Sequence, residues 1–515
     1  MNKIQQKLMS FRNEWKLYKR NCDATNKIII SAYDQDSVFP VYSNEYWWSD
    51  KWSATDFSID YNPEKKFFEQ FYELFKKVPR DWTSVFMSEN CDYNSHIRES
   101  KNCYLNSLVY LCEEVLYSYW MVRNTKCLDC VMTNNSENCY ECMDVDKCFN
   151  CNFVYETINS NNCYYSFQLE NCNNCIWCSN LVNKSYYILN KQVSPEEFKR
   201  KKDELINWKY SSEVWAKKFL ENMFQKTIHR NLHNTNSQNS SWDHLENCNN
   251  CENSFDGHNS ENIKNVISFS DSKDISNSYS VGWPTCSKVD MSCVIRGSNN
   301  IKCCNYIFMS NNLEYCDSCI NCDNCFWCVW LRDKKFHIFN KEYSEKQYFE
   351  IKEKIINNMK KQLEYWEFFP QYISAFSYNE TVAQDFYKLD KKEALDNWFK
   401  WKEEKEKSIY NWIEYKIPDN ISDIDSEILS KILVCENCTK NYRIIEMELN
   451  FYKSKNIPIP RKCPTCRHSD RMHFRNPTEL FDRKCDKCWI DIKSTYDESR
   501  EEIVYCEKCY EKEIY

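Results

Sequence analysis

The chain has 515 residues, 33 cysteines, only 3 glycines and a formal net charge of −8. So few glycines exclude the glycine-rich turns that bind dinucleotides and phosphates, and the G-x-S-x-G turn of many hydrolases. The acidic balance gives no global nucleic-acid signal, so any such site has to be a local basic patch. We expect a cytoplasmic protein with no membrane partner, because the start has no apolar signal segment and no stretch approaches about 18 apolar residues. In that compartment cysteines serve as metal ligands or thiols more often than as disulfides.

Residues 1–60 are predicted to form a degenerate zinc-ribbon-like module. A shift of 463 positions places Cys22-Asp23 on Cys485-Asp486 and Val41-Tyr42 on Val504-Tyr505. The remaining ligand positions carry other residues: Thr25, Ser43 and Tyr46. A lone cysteine cannot hold zinc, so the aromatic residues of YWWSDKW (46–52) would have to supply a hydrophobic core instead.

Two cysteine- and asparagine-rich tracts, 81–192 and 236–342, are copies of one another. The phrase NCNNCIWC at 171–178 returns as NCDNCFWC at 321–328, an offset of 150. Within the first tract, cysteines recur at a spacing of 36, as at 103, 139 and 175. Short units with asparagine at a fixed place predict stacked coils of a parallel β-solenoid, in which asparagine adopts left-handed turns in place of the missing glycines. A set of small zinc knuckles or an irregular β layer are the alternatives.

The phrase CDSCINCDNCFWC (316–328) decides how the central cysteines are interpreted. Elsewhere in the second tract the same repeat position carries Ile263, Ile275, Ile301 or Leu313. A position that accepts Cys, Ile or Leu behaves as a small buried apolar site, so lining of the core is the favoured interpretation. An iron–sulfur cluster is disfavoured, because the ferredoxin-like run lacks its C-P ending and the first copy holds only three cysteines. A second candidate metal cluster is zinc bound by four residues: Cys319, Cys322, Cys325 and Cys328.

Helices are predicted before, between and after the tracts. The segment 61–80 contains an apolar stripe over 62–79 between Pro63 and Pro79. Capping boxes at Ser194 and Ser344 then open helices over 194–224 and 344–369. These helices belong to the regions 193–235 and 343–417, and a further helix is predicted over 381–406.

The tail carries the clearest metal signal, four Cys-x-x-Cys pairs. They are Cys435 and Cys438, Cys463 and Cys466, Cys485 and Cys488, and Cys506 and Cys509. The interval between the last two pairs fits a zinc ribbon, predicted for 481–515, and the first two pairs predict a ribbon or treble-clef-like module over 418–480. Two knuckle turns complete the tetrahedron of each structural Zn²⁺, and a closed four-cysteine site has no catalytic position.

A basic segment, RKCPTCRHSDRMHFR (461–475), lies within the tail. Its candidate nucleic-acid contacts are Arg461, Lys462, Arg467, Arg471 and Arg475. Such a surface suits phosphate contacts, which give affinity without reading sequence. The alternatives are a solvated charged face, or arginines that pair with the protein's own excess acids.

The tail, from NYRIIEMELNFYK at 441–453 to YCEKCYEKEIY at 505–515, resembles a family of large cysteine-rich zinc-ribbon proteins from candidate-phylum bacteria. That resemblance implies the four cysteine pairs as ligands and no activity. The predicted fold class is α+β and multi-domain, with duplicated β-solenoid-like tracts, each followed by helices, and C-terminal zinc ribbons. The favoured function is a non-enzymatic zinc-binding scaffold or interaction protein whose partner is protein or nucleic acid. The alternatives are a carbohydrate-active enzyme with paired carboxylates on a β-solenoid, or a metal or thiol store in the central cysteines.

Overall fold

The computed structural model describes residues 2–91, 93–205, 209–403 and 415–515. The chain forms two compact units. Unit 1 comprises Met1–Thr83 and Leu232–Glu403, and unit 2 comprises Ser84–Asn231 and Glu404–Tyr515. Each unit therefore joins one cysteine-rich tract to one terminal segment of the chain. The domain boundaries inferred along the sequence stay predictions.

Both tracts are built from long parallel β-sheets with a coil of twelve residues. Paired residues on successive strands are twelve positions apart, as in Met143 with Tyr155 and Cys163 with Cys175. The sequence period of 36 is thus three coils. This confirms the predicted fold class, with solenoid-like tracts, helices after them and four-cysteine clusters in the tail.

In unit 2, the described strands of the first solenoid join in one sheet. They are Val85–Phe86, Ser95–Arg98, Ser107–Tyr110, Tyr119–Val122, Val131–Asn134, Met143–Asp146, Asn152–Ile158, Asn161–Glu170, Asn173–Ile176, Ser179–Val182, Ser185–Ile188 and Lys191–Gln192.

In unit 1, the second solenoid has two sheets. One contains Leu245–Glu246, Phe255–His258, Ile267–Ser270, Tyr279–Gly282, Cys293–Arg296 and Asn305–Phe308. The other contains Asn249–Glu252, Glu261–Lys264, Ser272–Ser276, Cys286–Asp290, Asn299–Lys302, Asn311–Glu314, Asp323–Phe326, Lys335–Ile338 and Lys341–Glu342.

Each coil turns at left-handed residues that recur every third position. Asn90, Asn102 and Asn138 have φ of 51°, 53° and 57°, so asparagine does take the place of glycine, as predicted. Larger residues such as Trp120 and Glu141 also occupy corners, with φ of 56° and 53°. Each left-handed residue costs about 1 kcal/mol or more, which the stacked ladder of backbone hydrogen bonds must offset.

The residue after a corner points into the coil, and it stacks on the equivalent residue of the neighbouring coil. Cys251 pairs with Ile263, Ile263 with Ile275, and Leu313 with Cys325 on successive strands. All five side chains are buried, so cysteine here fills the place of an aliphatic residue.

A different face of the first solenoid uses cysteine as a hydrogen-bond acceptor. The Ser100 hydroxyl accepts the Cys112 N–H at 3.1 Å, and the Cys112 sulfur accepts the Asn124 N–H at 3.3 Å. Ser, Cys and Asn exchange at this face because the inward amide of the next coil needs a partner.

The predicted helices form, with shorter spans. The capping box at Ser344 is present, but its helix ends at Lys361, where Leu363 and Trp366 have positive φ. Only two short helices form within 381–406, and positions 404–406 lie outside the described residues, as do 206–208 of the linking segment. The α-helices of unit 1 are Asn2–Met9, Asn44–Trp47, Phe67–Lys77, Glu345–Lys361, Ala383–Phe386 and Lys391–Asp396. Those of unit 2 are Pro195–Leu205, Tyr210–Lys226, Glu446–Lys455, Pro464–Met472 and Glu507–Ile514. No helix in the described part of the chain is long and apolar enough to cross a membrane.

Candidate metal centres

The first tail cluster joins a hairpin turn to the start of a helix. Cys435 and Cys438 lie in the turn between the strands Leu433–Val434 and Asn441–Tyr442. Cys463 is the N-cap of the helix Pro464–Met472, and Cys466 lies in its first turn. The four sulfur atoms all lie within 4.8 Å of one another.

The second tail cluster repeats this plan. The strands Phe481–Lys484 and Asp491–Ser494 flank the turn that holds Cys485 and Cys488. Cys506 is the N-cap of the helix Glu507–Ile514, whose first turn holds Cys509. The expectation of two knuckle turns is therefore wrong for the second pair of each set, which lies at a helix N-terminus. Without a metal ion, burial raises the pKa of the Cys463, Cys466 and Cys506 thiols above its usual value.

The geometry and electrostatics of both clusters suit a tetrahedral metal ion. Sulfur–sulfur distances are 3.7 Å between Cys438 and Cys463 and 3.7 Å between Cys488 and Cys506. A tetrahedron with metal–sulfur bonds of about 2.3 Å has edges of about 3.8 Å. Burial would raise the pKa of the Cys435 thiol, but N–H groups that point at the sulfur outweigh it and lower that pKa to about 6. The same balance lowers the pKa of Cys485 to about 6. Both groups could hold metal ions such as zinc.

Residues 18–47 of unit 1 share the backbone of the second tail cluster. The strands Tyr18–Asn21 and Ile28–Ser31 pair as a hairpin, in the register of 481–494 shifted by 463. The Cys22 sulfur accepts the Ser43 N–H at 3.2 Å, as the Cys485 sulfur accepts the Cys506 N–H at 3.2 Å. Cys22 is the lone cysteine of this hairpin, so the described module has the ribbon geometry without the ligand set.

Two of the five predicted nucleic-acid contacts are buried within unit 2, which corrects their placement on a basic surface. Arg467 and Arg471 are 3% and 1% exposed. Their guanidinium groups lie 2.9 Å and 3.1 Å from the two carboxylate oxygens of Asp129, a fully buried corner of the first solenoid. Arg471 also contacts Glu141 at 2.9 Å, and Arg467 contacts Glu448 at 3.2 Å. The helix that begins in the first cluster is thereby fixed to the solenoid by ion pairs with the protein's own acids.

The other three basic residues are partly exposed. Arg461 stacks on the Tyr210 ring at 4.1 Å, and Lys462 pairs with Asp470 at 2.7 Å. Arg475 is also partly exposed. The basic segment therefore does not present all five residues on one surface. Nucleic-acid contact stays a prediction for these three residues alone.

The central cysteines line the solenoids. Cys319 and Cys328 are fully buried, and the Cys319 sulfur lies 3.6 Å and 3.7 Å from the carbonyl oxygens of Asp317 and Cys328. Burial raises the pKa of both thiols well above its usual value. Among the described residues, the groups with metal-type spacing include no central cysteine. The candidate cluster at Cys319, Cys322, Cys325 and Cys328 stays a prediction.

The tract acids available to a carbohydrate-active enzyme are Asp144, Asp146, Asp271 and Asp274. Three of them belong to hydrogen-bonded ladders along the solenoid surface. Asp146, Asp271 and Asp274 each accept a hydrogen bond from an asparagine one coil earlier, at 2.8, 3.3 and 2.9 Å. These contacts give the carboxylates a structural role: Asp271 and Asp274 are corner residues, and Asp146 ends a strand just before the corner at Lys147.

Sequence reasoning missed two groups. Asp129 and Glu141, the buried partners of the two arginines, occupy the same corner of successive coils, twelve residues apart. A known coil length of twelve residues would have revealed that they are neighbours. A group formed by His233, Asp243 and His244 in unit 1 also has metal-type spacing. No Cys-x-x-Cys or His-x-x-His pattern marks it in the sequence.

Comparison with known proteins does not extend these findings to a function. No model of a known protein family matches the chain, and no curated protein matches it. One similar solved structure is a protein provisionally assigned as an acetyltransferase from Desulfovibrio desulfuricans G20, with 10% identity and a TM-score of 0.12. The alignment covers 44% of this chain and 63% of that one, less than two thirds of its length. At that TM-score the likeness carries no argument.

Proposed function

We propose that this protein is a non-enzymatic zinc-binding scaffold whose tail is held on the first solenoid by two structural zinc ions. The observation that carries the proposal is the helix Pro464–Met472. Its N-cap and first turn supply the candidate ligands Cys463 and Cys466, and the following turn supplies Arg467 and Arg471 to the buried pairs with Asp129. A metal ion that orders the start of this helix therefore also orders its contact with the solenoid.

The chemistry of the clusters supports a structural role. Four thiolates close the coordination shell of zinc and provide no open position for a substrate or water. Filling such a site contributes roughly 10 kcal/mol or more to folding of the surrounding segment.

The test is the metal content of the full chain after dialysis, measured by native and elemental mass spectrometry. We expect two cysteine-bound zinc ions per chain, one lost in Cys435→Ser and one in Cys485→Ser, whatever the occupancy of sites without cysteine. Cys22→Ser is the matched control and should retain both. A dialysed chain without zinc, or with iron and the visible absorbance of an iron–sulfur cluster, would contradict the proposal.

For the partner we infer protein rather than nucleic acid. The net charge of −8 and the burial of Arg467 and Arg471 both oppose phosphate binding. Fluorescence anisotropy with a labelled single-stranded and a labelled duplex 20-mer, at low salt, tests this inference. We expect no saturable binding at micromolar protein. Salt-dependent binding that Lys462→Ala weakens would overturn it.

A further inference from the structure

A third group of metal-type ligands lies at the start of the second solenoid, within unit 1. The ligand atoms of His233, Asp243 and His244 all lie within 4.8 Å of one another. We propose that this group binds a divalent transition-metal ion through two imidazoles and one carboxylate. Its ligands are nitrogen and oxygen atoms, whereas the tail clusters offer only sulfur. Among the described residues, it is the one group with metal-type spacing outside the two tail clusters.

The repeat is interrupted where the group forms. Corners normally recur every third residue, but Trp242 and His244, with φ of 106° and 57°, are only two apart. Thr235 accordingly bridges to Glu246, eleven residues on rather than twelve. Asp243 follows a corner and so takes an inward position, where it is fully buried. Loss of one residue from the coil thus brings a carboxylate and two histidines together.

The backbone orients the carboxylate toward the histidines. Asp243 Oδ1 accepts the N–H of His233 and, at 2.9 Å, the N–H of His244. Its other oxygen, Oδ2, lies 3.3 Å from His233 Nδ1 and 3.9 Å from His244 Nε2. A carboxylate with one oxygen held by amides and the other facing two imidazole nitrogens is arranged to bind a metal through one oxygen.

Charge balance requires a counter-charge for Asp243, which either one imidazolium or a metal ion could supply. A fully buried carboxylate needs a compensating positive charge. The two imidazole rings stack in parallel, with centroids 4.8 Å apart and planes at 14°. Two imidazolium cations at that separation repel one another, whereas neutral imidazoles are metal ligands. One divalent ion would serve all three side chains at once.

The ligand set indicates the class of metal. Two imidazoles and one carboxylate suit Zn²⁺, Fe²⁺ or Co²⁺. The side chains of His233 and His244 are 17% and 27% exposed, so an ion there would keep positions open to water, unlike an ion in the four-cysteine clusters.

The experiment is a Co²⁺ titration of the full chain with its tail clusters already loaded with zinc. We expect one Co²⁺ per chain, with the weak visible bands of nitrogen and oxygen ligation and without the near-ultraviolet bands of thiolate ligation. His233→Gln and His244→Gln should each weaken binding at least about tenfold. His258→Gln, which removes a nearby histidine that pairs with Glu246 at 3.2 Å, should bind as the unchanged chain does.

A second readout on the unsubstituted protein guards against variants that fail to fold. Pulsed electron paramagnetic resonance of the Cu²⁺-loaded chain should detect two imidazole nitrogens on one ion. Binding that is absent at millimolar Co²⁺, that survives in both histidine variants, or that shows only thiolate bands would overturn the proposal, as would a Cu²⁺ spectrum without two imidazoles.

Discussion

The hairpin module of unit 1 and the second tail cluster of unit 2 have one backbone plan but different internal chemistry. In unit 2 the module has four cysteines that could bind a metal ion. In unit 1, Tyr46 stands where Cys509 would be, and Trp47 stands where Tyr510 would be. Trp47 packs on Trp52 and Trp330, with ring centroids 4.3 Å and 4.7 Å apart. An aromatic cluster thus occupies the module that lacks the ligand set.

The two modules also differ where they join a neighbouring strand. Val41 pairs with Arg80 in unit 1, and Val504 pairs with His229 in unit 2. Arg80 forms a buried ion pair with Asp317 at 2.5 Å. His229 instead stacks on Phe167, with ring centroids 6.3 Å apart and an interplanar angle of 8°. Asp317 and Phe167 are equivalent positions, 150 residues apart. The same backbone pairing is therefore compatible with a buried ion pair in unit 1 and with an aromatic stack in unit 2.

The largest expected effect is the difference in stability lost when the equivalent cysteines of the two modules, Cys485 and Cys22, are replaced. Cys485→Ser removes one ligand and should destabilise the second tail cluster by most of the metal's contribution, on the order of 10 kcal/mol. Cys22→Ser, at the equivalent position, should cost no more than about 2 kcal/mol, because the hydroxyl that replaces the sulfur can still accept from the N–H groups of Ala24, Thr25 and Ser43 and no metal ligand is lost. Thermal unfolding of the full chain followed by calorimetry measures both. Equal losses would mean that metal does not distinguish the modules.

The buried ion pair of unit 1 should give the next largest effect. Asp317→Phe leaves Arg80 buried without its counter-ion, at a cost of roughly 3–5 kcal/mol. The double variant Asp317→Phe with Arg80→His introduces the residues of unit 2 and should recover most of that loss. Denaturant unfolding of the three chains provides the free energies. Failure of the double variant to recover stability would show that the two contacts are not interchangeable.

A pH effect is expected in unit 1 beside this pair. Burial raises the pKa of Asp81 to about 7, from 3.8 for an exposed group. The Trp82 N–H and the charge of Arg332 lower this pKa, but they offset only part of the effect of burial. The folded state therefore binds the proton more tightly, so this contribution to stability is complete below about pH 4 and is lost as the pH rises to 7. The loss amounts to roughly 3–4 kcal/mol.

Asp81→Asn should remove that dependence. Between pH 4 and 7, the free energy of unfolding of the variant should rise relative to that of the unsubstituted chain. A variant whose stability falls in parallel with that of the unsubstituted chain would exclude Asp81 as the source.

The smallest expected losses of stability distinguish inward cysteines that only pack from those whose sulfur accepts a backbone hydrogen bond. Cys325 stacks on Leu313 of the preceding coil and on His337 of the next, and it occupies a repeat position that carries Ile or Leu in other coils, so Cys325→Ile should cost less than about 1.5 kcal/mol. Cys112 accepts an amide, so Cys112→Val should cost about 1–3 kcal/mol while Cys112→Ser stays close to neutral. Chemical denaturation resolves these differences. A large loss in Cys325→Ile with release of bound metal would instead support the candidate cluster in CDSCINCDNCFWC.

Periodic features were predictable from the sequence because each coil repeats its chemistry. The copies at an offset of 150, the asparagine corners and the exchange of Cys325 with Leu313 are visible without coordinates. The tail ligands were equally visible, since each pair is a local motif. Pro464, at the first helical position, is the one local sign that the second pair of the first cluster begins a helix.

Contacts between distant segments were not predictable. Arg467 and Arg471 lie in a segment that is basic by itself, and their partner Asp129 is more than 300 residues away. The helix after Ser344 stops at Lys361 although its apolar period continues, because the chain turns at Leu363. His233 and Asp243 approach only because one coil is a residue short.

The most direct test of the account is hydrogen–deuterium exchange of the full chain, followed by mass spectrometry, before and after removal of metal with a chelator. We predict that peptides within 433–472 and 481–514 lose protection, while those within 18–47 keep theirs. Loss of protection in all three segments together, or in none, would contradict the claim that metal holds the tail modules and that an aromatic core holds their metal-free counterpart.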